Sequence, residues 1–200
     1  MWRSVTNFFG GPDIQVAPIT SSEARNAITS WHYLGTKPFR CQLAVGLWED
    51  NALLGAAVFH GLSAPETAVG AFGLSRQDQA GLWELGRFVL APECNGHNTG
   101  TWFLARAVKI LHQRPCRALI TYASADRHYG ALYQAASFTY CGLTAAKSDF
   151  WVGGHIQERG KTKGVEGVWL PRPRKHRYIK VWDRKLILRW PVQPYPKEAG

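Results

Sequence analysis

The alternation of hydrophobic and polar residues is most informative from Leu82 to His112, where it predicts a strand, a loop and a helix. The apolar positions within Leu85–Leu90 suit a buried strand. Pro92 ends this strand because proline lacks the N–H that a β-ladder needs. Asn95–Gly100 is polar and contains glycine, and it therefore predicts a turn.

The predicted helix begins after this turn, with Thr99 or Thr101 as its capping residue. Its apolar face is formed by Trp102, Ala105, Val108 and Leu111. Free N–H groups at a helix start bind anions, above all phosphates. Two interpretations therefore stand side by side: an ordinary strand–turn–helix unit, and a site for a phosphate-bearing cofactor.

The rest of the chain predicts a mixed α/β sheet with helices packed on it. Pro18 favours an edge position for the first strand, and Gly35 suits the C′ position of the first helix. The N-cap residue types Thr20–Ser22, followed by Glu23, mark the start of the first helix, and Glu49–Asn51 predicts a hairpin turn between the second and third strands. Gly61–Gly81 shows no clear hydrophobic period. The predicted elements are strand Asp13–Ile19, helix Ser22–Trp31, strands Cys41–Trp48 and Ala52–His60, strand Arg117–Ala123, helix Ala131–Ala136 and strand Phe138–Gly142.

The C-terminal region continues with short strands. Phe150–Val152 predicts a strand near the sheet edge, and Val168–Leu170 predicts another. Arg177–Trp182 and Lys185–Trp190 predict a basic, aromatic β-hairpin. We expect a main domain over residues 13–155 and a basic extension over residues 156–200 that packs on this domain or continues it.

Positive charge is concentrated in this extension. The chain has a net charge of +10, and residues 156–200 hold 12 Lys/Arg against four Asp/Glu. Aromatic residues interleave with these charges, which favours a polyanionic partner over a merely solvated tail.

Composition also narrows the class of protein. No apolar run reaches the length of a membrane span, and the first 13 residues lack a secretory h-region. We therefore expect a cytoplasmic protein without a membrane partner. The cysteines lack CxxC spacing, which favours free thiols over a zinc site or disulfides; they are Cys41, Cys94, Cys116 and Cys141.

The element order resembles the acetyltransferase fold of the GNAT superfamily. In that fold a strand–turn–helix unit, here Leu82–His112, holds the cofactor pyrophosphate. A later strand–helix unit carries a tyrosine, here Tyr133. The GNAT phosphate loop is usually glycine-rich, whereas this chain has Asn95–Thr101 in its place. This departure argues against ordinary acetyl transfer.

A second resemblance is more specific, and it extends over residues 13–197. Several segments, in their order and spacing, are similar to the phage Mom family of DNA modification proteins. These segments are Trp31–Gly35, Glu84–Leu90, Asn98–Thr101, Thr121–Ser124, His128–Tyr133, Lys175–Lys180 and Pro194–Lys197.

The Mom resemblance implies a single GNAT-like domain that adds a carbamoylmethyl group to the N6 amine of adenine in duplex DNA. The modification hides phage DNA from host restriction enzymes, so a phage-encoded protein would act in the host cytoplasm. The donor would be acetyl-CoA or a related activated compound. Base flipping is expected because the target base is stacked and paired. The alternatives are a GNAT-type N-acetyltransferase of a protein or small amine, and a non-catalytic nucleic-acid-binding protein.

Arg87 and Tyr133 are the main cofactor-side residues. A charge within an apolar strand is costly unless it is paired, so Arg87 either binds the cofactor or forms a salt bridge with Glu84. Tyr133 resembles the GNAT general acid, because a phenol with a pKa of about 10 suits a thiolate leaving group; the alternative is a core tyrosine. The predicted cofactor-binding residues are Arg87, Val89, Asn98, Thr99, Gly100 and Thr101.

The resemblance also implies an iron site formed by His32, Tyr33 and Asp126, since imidazole, phenolate and carboxylate together suit a transition metal. The alternative for the two aromatic residues is packing against the sheet. Ser124 occupies the position that the family fills with an acidic residue, so either Asp126 in the shortened turn takes over this role, or this branch of the family works differently. His128 orients Asp126, caps the following helix or acts as a general base. The predicted catalytic residues are Tyr33, Arg87, Asp126, His128 and Tyr133.

The basic extension supplies the predicted contacts to DNA phosphates. Tryptophans at positions 151, 169, 182 and 190 either hold the extruded base or pack structurally. The predicted DNA-binding residues are Arg172, Arg174, Lys175, Arg177, Tyr178, Lys180, Arg184 and Lys185.

Overall fold

The computed structural model describes residues 13–94, 98–157 and 160–197. The strands are β1 (Ile14–Ile19), β2 (Leu43–Glu49), β3 (Ala52–Gly61), β4 (Leu82–Leu90), β5 (Ala118–Ser124), β6 (Thr139–Leu143), β7 (Lys147–Val152), β8 (His155–Ile156), β9 (Val168–Arg172) and β10 (Lys175–Val181). The helices are α1 (Ser21–Trp31), α2 (Glu66–Phe72), α3 (Thr99–Leu111) and α4 (Ala131–Ala135), with a 3₁₀ turn at Pro92–Cys94.

Seven strands form the central sheet in the order β1-β2-β3-β4-β5-β10-β6. Neighbours are antiparallel except β4 and β5, which run parallel. The predicted mixed α/β fold is therefore confirmed. β1 lies at the edge, as Pro18 indicates, because an edge strand tolerates a residue without a ladder N–H.

Helices cover both faces of this sheet. Side chains alternate across a strand, so Val45 packs in the core cluster that contains Phe103 of α3, whereas its neighbour Ala44 packs in the cluster that contains Ile28 of α1. A third cluster joins α2 to the strands through Phe72. Within the described residues, no helix is long and apolar enough to cross a membrane.

The start of α1 follows the sequence prediction closely. Thr20 is the N-cap residue, and Thr20 and Glu23 form a capping box in which each side chain bonds the other's backbone N–H. The end of α1 differs, because His32 is the C-cap residue and has an extended backbone. Gly35 instead belongs to the turn that follows, with a φ of +48°.

The hairpin of β2 and β3 is confirmed. Asp50 and Asn51 form its tight turn with φ values of 45° and 69°, a conformation that these two residue types tolerate well. The sequence pattern missed α2, which lies within the stretch Gly61–Gly81. Its N-cap residue, Pro65, makes no side-chain capping bond, so the usual start signal is lacking.

The predicted C-terminal hairpin of Arg177–Trp182 with Lys185–Trp190 does not form. β10 pairs instead with β5 on one side and with β6 on the other. Tyr178 and Ile179 are fully buried on opposite faces of the sheet, and this burial stabilises the central position of β10. β7 also differs from the prediction, because it lies in the middle of a separate sheet ordered β8-β7-β9.

Candidate functional site

β4 and β5 separate part-way along the sheet. Their parallel pairing covers only Leu82–Leu85 with Ala118–Thr121, although β4 continues to Leu90 and β5 to Ser124. A cleft of about 560 Å³ opens where the two strands part; we call it the strand cleft. The predicted site residues that line it are His32, Tyr33, Arg87, Val89, Gly100, Ser124, His128, Tyr133 and Lys175.

Arg87 presents a half-buried guanidinium to the strand cleft. Its Nη1 donates to the Gly86 carbonyl at 2.7 Å, its Nη2 donates to the Pro38 carbonyl at 3.4 Å, and its buried Nε has no hydrogen-bond partner. Burial lowers the pKa of Arg87, while Tyr33 and Glu84 oppose that shift. The alternative salt bridge does not form among the described residues, since Glu84 bonds Ser63 instead. The charge of Arg87 is therefore not neutralised by a direct ion pair with an acid among the described residues.

His32 and Tyr33 stack on each other at the mouth of the strand cleft, with ring centroids 4.5 Å apart. His32 accepts the Leu34 N–H at its Nδ1 (3.1 Å), which fixes the ring. Tyr33 is 49% exposed, and the Arg127 guanidinium lies 5.3 Å from its ring centroid. Both an imidazole and an exposed aromatic ring thus face an incoming substrate.

The buried imidazole makes stability depend on pH. The pKa of His32 is lowered from 6.5 to about 4, first by burial and then by Arg87 and His128. The unfolded chain therefore binds this proton at higher pH than the folded chain. The resulting stability is fully present above pH 6.5 and is lost as the pH falls towards 4.

We expect His32→Gln to flatten the fall in Tm between about pH 7 and about pH 5, measured by thermal unfolding.

The matched control for this experiment is His155→Gln, since His155 is exposed in β8. An equally steep fall in Tm for His32→Gln and the wild type would show that His32 is not the group responsible.

Tyr133 is buried at the base of the strand cleft and packs beside Tyr178, with ring centroids 5.4 Å apart. Burial raises the pKa of Tyr133, and a side-chain hydrogen bond with Thr121 partly offsets the shift. The phenol therefore keeps its proton near neutral pH, as a general acid must before it donates one.

Asp126 is not among the residues that line the strand cleft. Its Oδ1 accepts the Ser124 hydroxyl at 2.6 Å, and this hydrogen bond is the main cause that lowers the pKa of Asp126. Ser124 and His128 line the cleft in its place. Burial lowers the pKa of His128, with Asp126 opposing, so the imidazole favours its neutral form.

The residues predicted for iron do not form a suitable ligand set. His32 and Tyr33 face the strand cleft, but the carboxylate of Asp126 is engaged outside its wall. Within the part of the chain that the structure describes, no group of three His, Cys, Asp or Glu side chains could hold a metal ion. Iron therefore has no support from this geometry.

The start of α3, where the sequence predicts phosphate binding, borders the strand cleft. Asn98, not a threonine, is the N-cap residue; it has a φ of 62° and makes no side-chain capping bond. Thr99 lies in the first turn, and the Thr101 hydroxyl donates to the Asn98 carbonyl at 2.9 Å. Gly100 is the residue of this turn that lines the cleft. The first part of the predicted turn, residues 95–97, lies outside the described residues.

Most residues predicted to bind DNA have partners within the protein. Arg172 forms an ion pair with Asp149, which joins β9 to β7. Arg174 donates to the Thr144 carbonyl at 2.7 Å. Arg174 therefore helps to position the loop between β6 and β7, whereas Arg172 holds two strands of the smaller sheet together.

The cations of β10 are similarly engaged. Arg177 donates to the Cys141 carbonyl at 2.7 Å and lies over Trp190, and Lys180 donates to the Ala136 carbonyl at 2.9 Å. Tyr178 is fully buried and bonds the Tyr129 carbonyl, so it packs in the core rather than on a DNA surface. Lys175 lines the strand cleft, whereas Arg184 and Lys185 are exposed.

Sequence reasoning did not identify Tyr122 as a site residue, and it treated Glu84 only as a possible partner of Arg87. Both line the strand cleft. Glu84 is an acid inside a buried strand, only 8% exposed, and that placement was the available signal. Tyr122 lies in an apolar run, and its position there gave no signal of a functional role.

Comparison with known structures identifies the fold. The fold is that of GNAT acetyltransferases. Arabidopsis thaliana NAA60 in complex with acetyl-CoA has a TM-score of 0.55 and 12% identity, with 84% of this chain and 99% of that chain covered. Bacillus subtilis acetyltransferase in complex with CoA has a TM-score of 0.51 and 11% identity, with 86% and 99% covered. Ribosomal-protein-alanine N-acetyltransferase from Brucella melitensis has a TM-score of 0.52 and 13% identity, with 84% and 99% covered.

The family follows from the sequence itself. The chain belongs to the Mom protein family, whose model matches residues 13–197. No curated protein sequence matches the chain.

Proposed function

We propose that this protein is a transferase that modifies the exocyclic N6 amine of adenine in DNA and uses a donor of the acyl-CoA class. Membership of the Mom family supports the substrate. The observation that carries the proposal is the strand cleft, which opens where β4 and β5 part and is closed by the start of α3. Two solved structures of this fold hold CoA or acetyl-CoA.

The residues of the strand cleft suit a phosphate-bearing thioester. Arg87 offers a positive charge, and the start of α3 offers backbone N–H groups to a pyrophosphate. A bound thioester would supply an activated carbon and a thiolate leaving group. Tyr133 lines the cleft and burial keeps it protonated, so it would donate its proton to that thiolate.

The adenine amine is a poor nucleophile because its lone pair is delocalised into the ring. Positioning therefore has to supply much of the rate enhancement. His128 is neutral near pH 7, since burial lowers its pKa, so it can accept a proton from the amine. Neutral His32 cannot do so in this geometry, because its unprotonated Nδ1 already accepts the Leu34 N–H.

Contacts to the DNA backbone would come from the exposed cations. Arg184 and Lys185 are exposed, and the chain carries a net charge of +10. Such contacts predict that DNA affinity falls steeply with salt.

A GNAT-type N-acetyltransferase of a protein is the second proposal, supported by the Brucella structure. Duplex binding at low salt separates the two.

The direct test is nucleoside mass spectrometry of DNA from cells that express the protein. We expect a modified deoxyadenosine with the mass of an N6-acyl product, because a thioester transfers an acyl group to an amine and releases the thiol. A carbamoylmethyl product, in which N6 is bonded to a CH₂ carbon, would show instead that the donor is not a simple acyl thioester. Arg87→Gln should lower its amount by at least about tenfold, because each charged contact to a ligand contributes on this scale.

The matched control is Arg106→Gln. Arg106 lies on α3 over the Trp102 ring, and it does not line the strand cleft. Unmodified deoxyadenosine in cells that contain folded wild-type protein would exclude the proposed function.

A further inference from the structure

A second cavity of about 400 Å³ lies beside the strand cleft, and the two share a wall. Glu84 of β4, Tyr122 of β5 and Lys175 of β10 line both cavities. Ser63 and Thr144, from the β3–α2 and β6–β7 loops, form other walls of the second cavity. Its volume is within the range of small-molecule pockets.

Glu84 is a buried hydrogen-bond acceptor with spare capacity. Its Oε1 accepts the Ser63 hydroxyl at 2.9 Å, and its Oε2 accepts the Ser63 N–H at 3.1 Å. Each carboxylate oxygen can accept a second hydrogen bond. No cation among the described residues forms an ion pair with Glu84. A ligand that donates hydrogen bonds would therefore be favoured at this wall.

Tyr122 and Lys175 complete the shared wall. The Lys175 Nζ lies 5.9 Å from the centroid of the Tyr122 ring. Burial raises the pKa of Tyr122 to about 12, so the phenol is neutral, and burial lowers the pKa of Lys175 while Glu84 opposes that shift. The aromatic ring of Tyr122 thus shares this wall with a carboxylate and an ammonium group.

We propose that the second cavity receives the target nucleobase, an inference that rests on the proposed function. The base packs against Tyr122, its exocyclic amine donates to Glu84, and Lys175 donates to an unprotonated ring nitrogen. Reading a flipped base through its pairing edge in this way is the usual means of recognition. Because Glu84 also lines the strand cleft, the amine held there borders the site of the donor.

The same three groups select between bases. Adenine presents an amine beside an unprotonated N1, whereas hypoxanthine presents a carbonyl oxygen beside an N1–H. The Glu84 carboxylate would face the hypoxanthine carbonyl with two acceptors opposed, and the Lys175 ammonium would face the N1–H with two donors opposed. The cavity therefore favours amino bases over keto bases.

The test measures the binding of single-stranded deoxyadenosine and deoxyinosine oligomers of equal length by fluorescence anisotropy at low salt, without donor. Single strands remove the cost of flipping. We expect the wild type to prefer the adenine oligomer by about tenfold, the ratio for one hydrogen bond to a charged group. Glu84→Gln, which can both donate and accept, should reduce the preference to less than about twofold.

Glu66→Gln is the matched control. Glu66 is an exposed acid of α2 that pairs with Arg76 and does not line the second cavity, so the preference should be kept. Lys175→Met provides a second variant at the shared wall, and its preference should also fall, whereas that of Lys185→Met should not. Each lysine variant loses attraction to phosphates, but it loses the same amount for the two oligomers. The ratio of the two affinities is therefore unaffected by that loss.

The experiments distinguish a failure of the nucleobase cavity from a failure of the proposed transferase function. Equal binding of both oligomers by the wild type, or an unchanged preference in both Glu84→Gln and Lys175→Met, would overturn the nucleobase cavity even if cellular DNA is modified. The other combination is an adenine preference that depends on Glu84, found while cellular DNA stays unmodified. This result would support the nucleobase cavity and exclude the proposed transfer reaction.

Discussion

Tyr133→Phe is expected to lower the yield of modified deoxyadenosine by about a hundredfold, the usual contribution of one general acid. The substitution removes only the hydroxyl from a buried ring that packs against Phe138 and Tyr178, so the fold should remain. Nucleoside mass spectrometry on DNA from cells with matched protein levels gives the measurement. Donor affinity should change little, because the hydroxyl acts on the leaving group rather than on the phosphates.

Tyr129→Phe is the control for this prediction. Tyr129 precedes α4 in the same segment but does not line the strand cleft. If both variants modify DNA as the wild type does, Tyr133 is a core residue and not the proton donor.

Gly130→Ala is expected to reduce the free energy of unfolding by about 2–4 kcal/mol, the sum of backbone strain and overpacking. Gly130 has a φ of +83°, and an added Cβ would lie 2.6 Å from Cε2 of Tyr178 and 3.2 Å from the Cβ of Ala123. Tyr178 is fully buried, so its ring cannot move aside. Urea denaturation measures the change.

Gly153→Ala separates the two contributions. Gly153 has a φ of +55° and no atom within 4 Å of an added Cβ. Its substitution should therefore cost only about 1–2 kcal/mol, the strain of the left-handed conformation. Equal losses for the two variants would show that the contact with Tyr178 contributes nothing. Because Gly130 is the N-cap residue of α4, Gly130→Ala should also displace Tyr133.

The sequence predicted the elements whose signals are local. The capping box of Thr20 and Glu23 marked the start of α1, and Asp50 with Asn51 marked the hairpin turn. The strand–turn–helix unit from Leu82 to His112 formed as β4 and α3. In each case the residues that determine the structure are neighbours along the chain, so their pattern is readable without tertiary information.

The C-terminal strand shows where local reasoning fails. The pattern of β10 is basic and aromatic, and it predicts an exposed hairpin. In the structure the apolar parts of these side chains pack while their charged ends reach carbonyl groups, as Lys180 does over Phe138 and Arg177 over Trp190. Charge count alone cannot distinguish a cation that faces DNA from one that supports the sheet.

The sequence by itself determined the mixed α/β fold, the family, and several residues that line the strand cleft, among them Arg87 and Tyr133. These follow from local patterns and motifs. The tertiary structure decided that β4 and β5 part after Leu85, and that Asp126 is not part of the cleft wall. It also brought Glu84, Tyr122 and Lys175 to one wall. These three residues come from strands far apart in the chain, and only the long-range pairing of β4, β5 and β10 places them together.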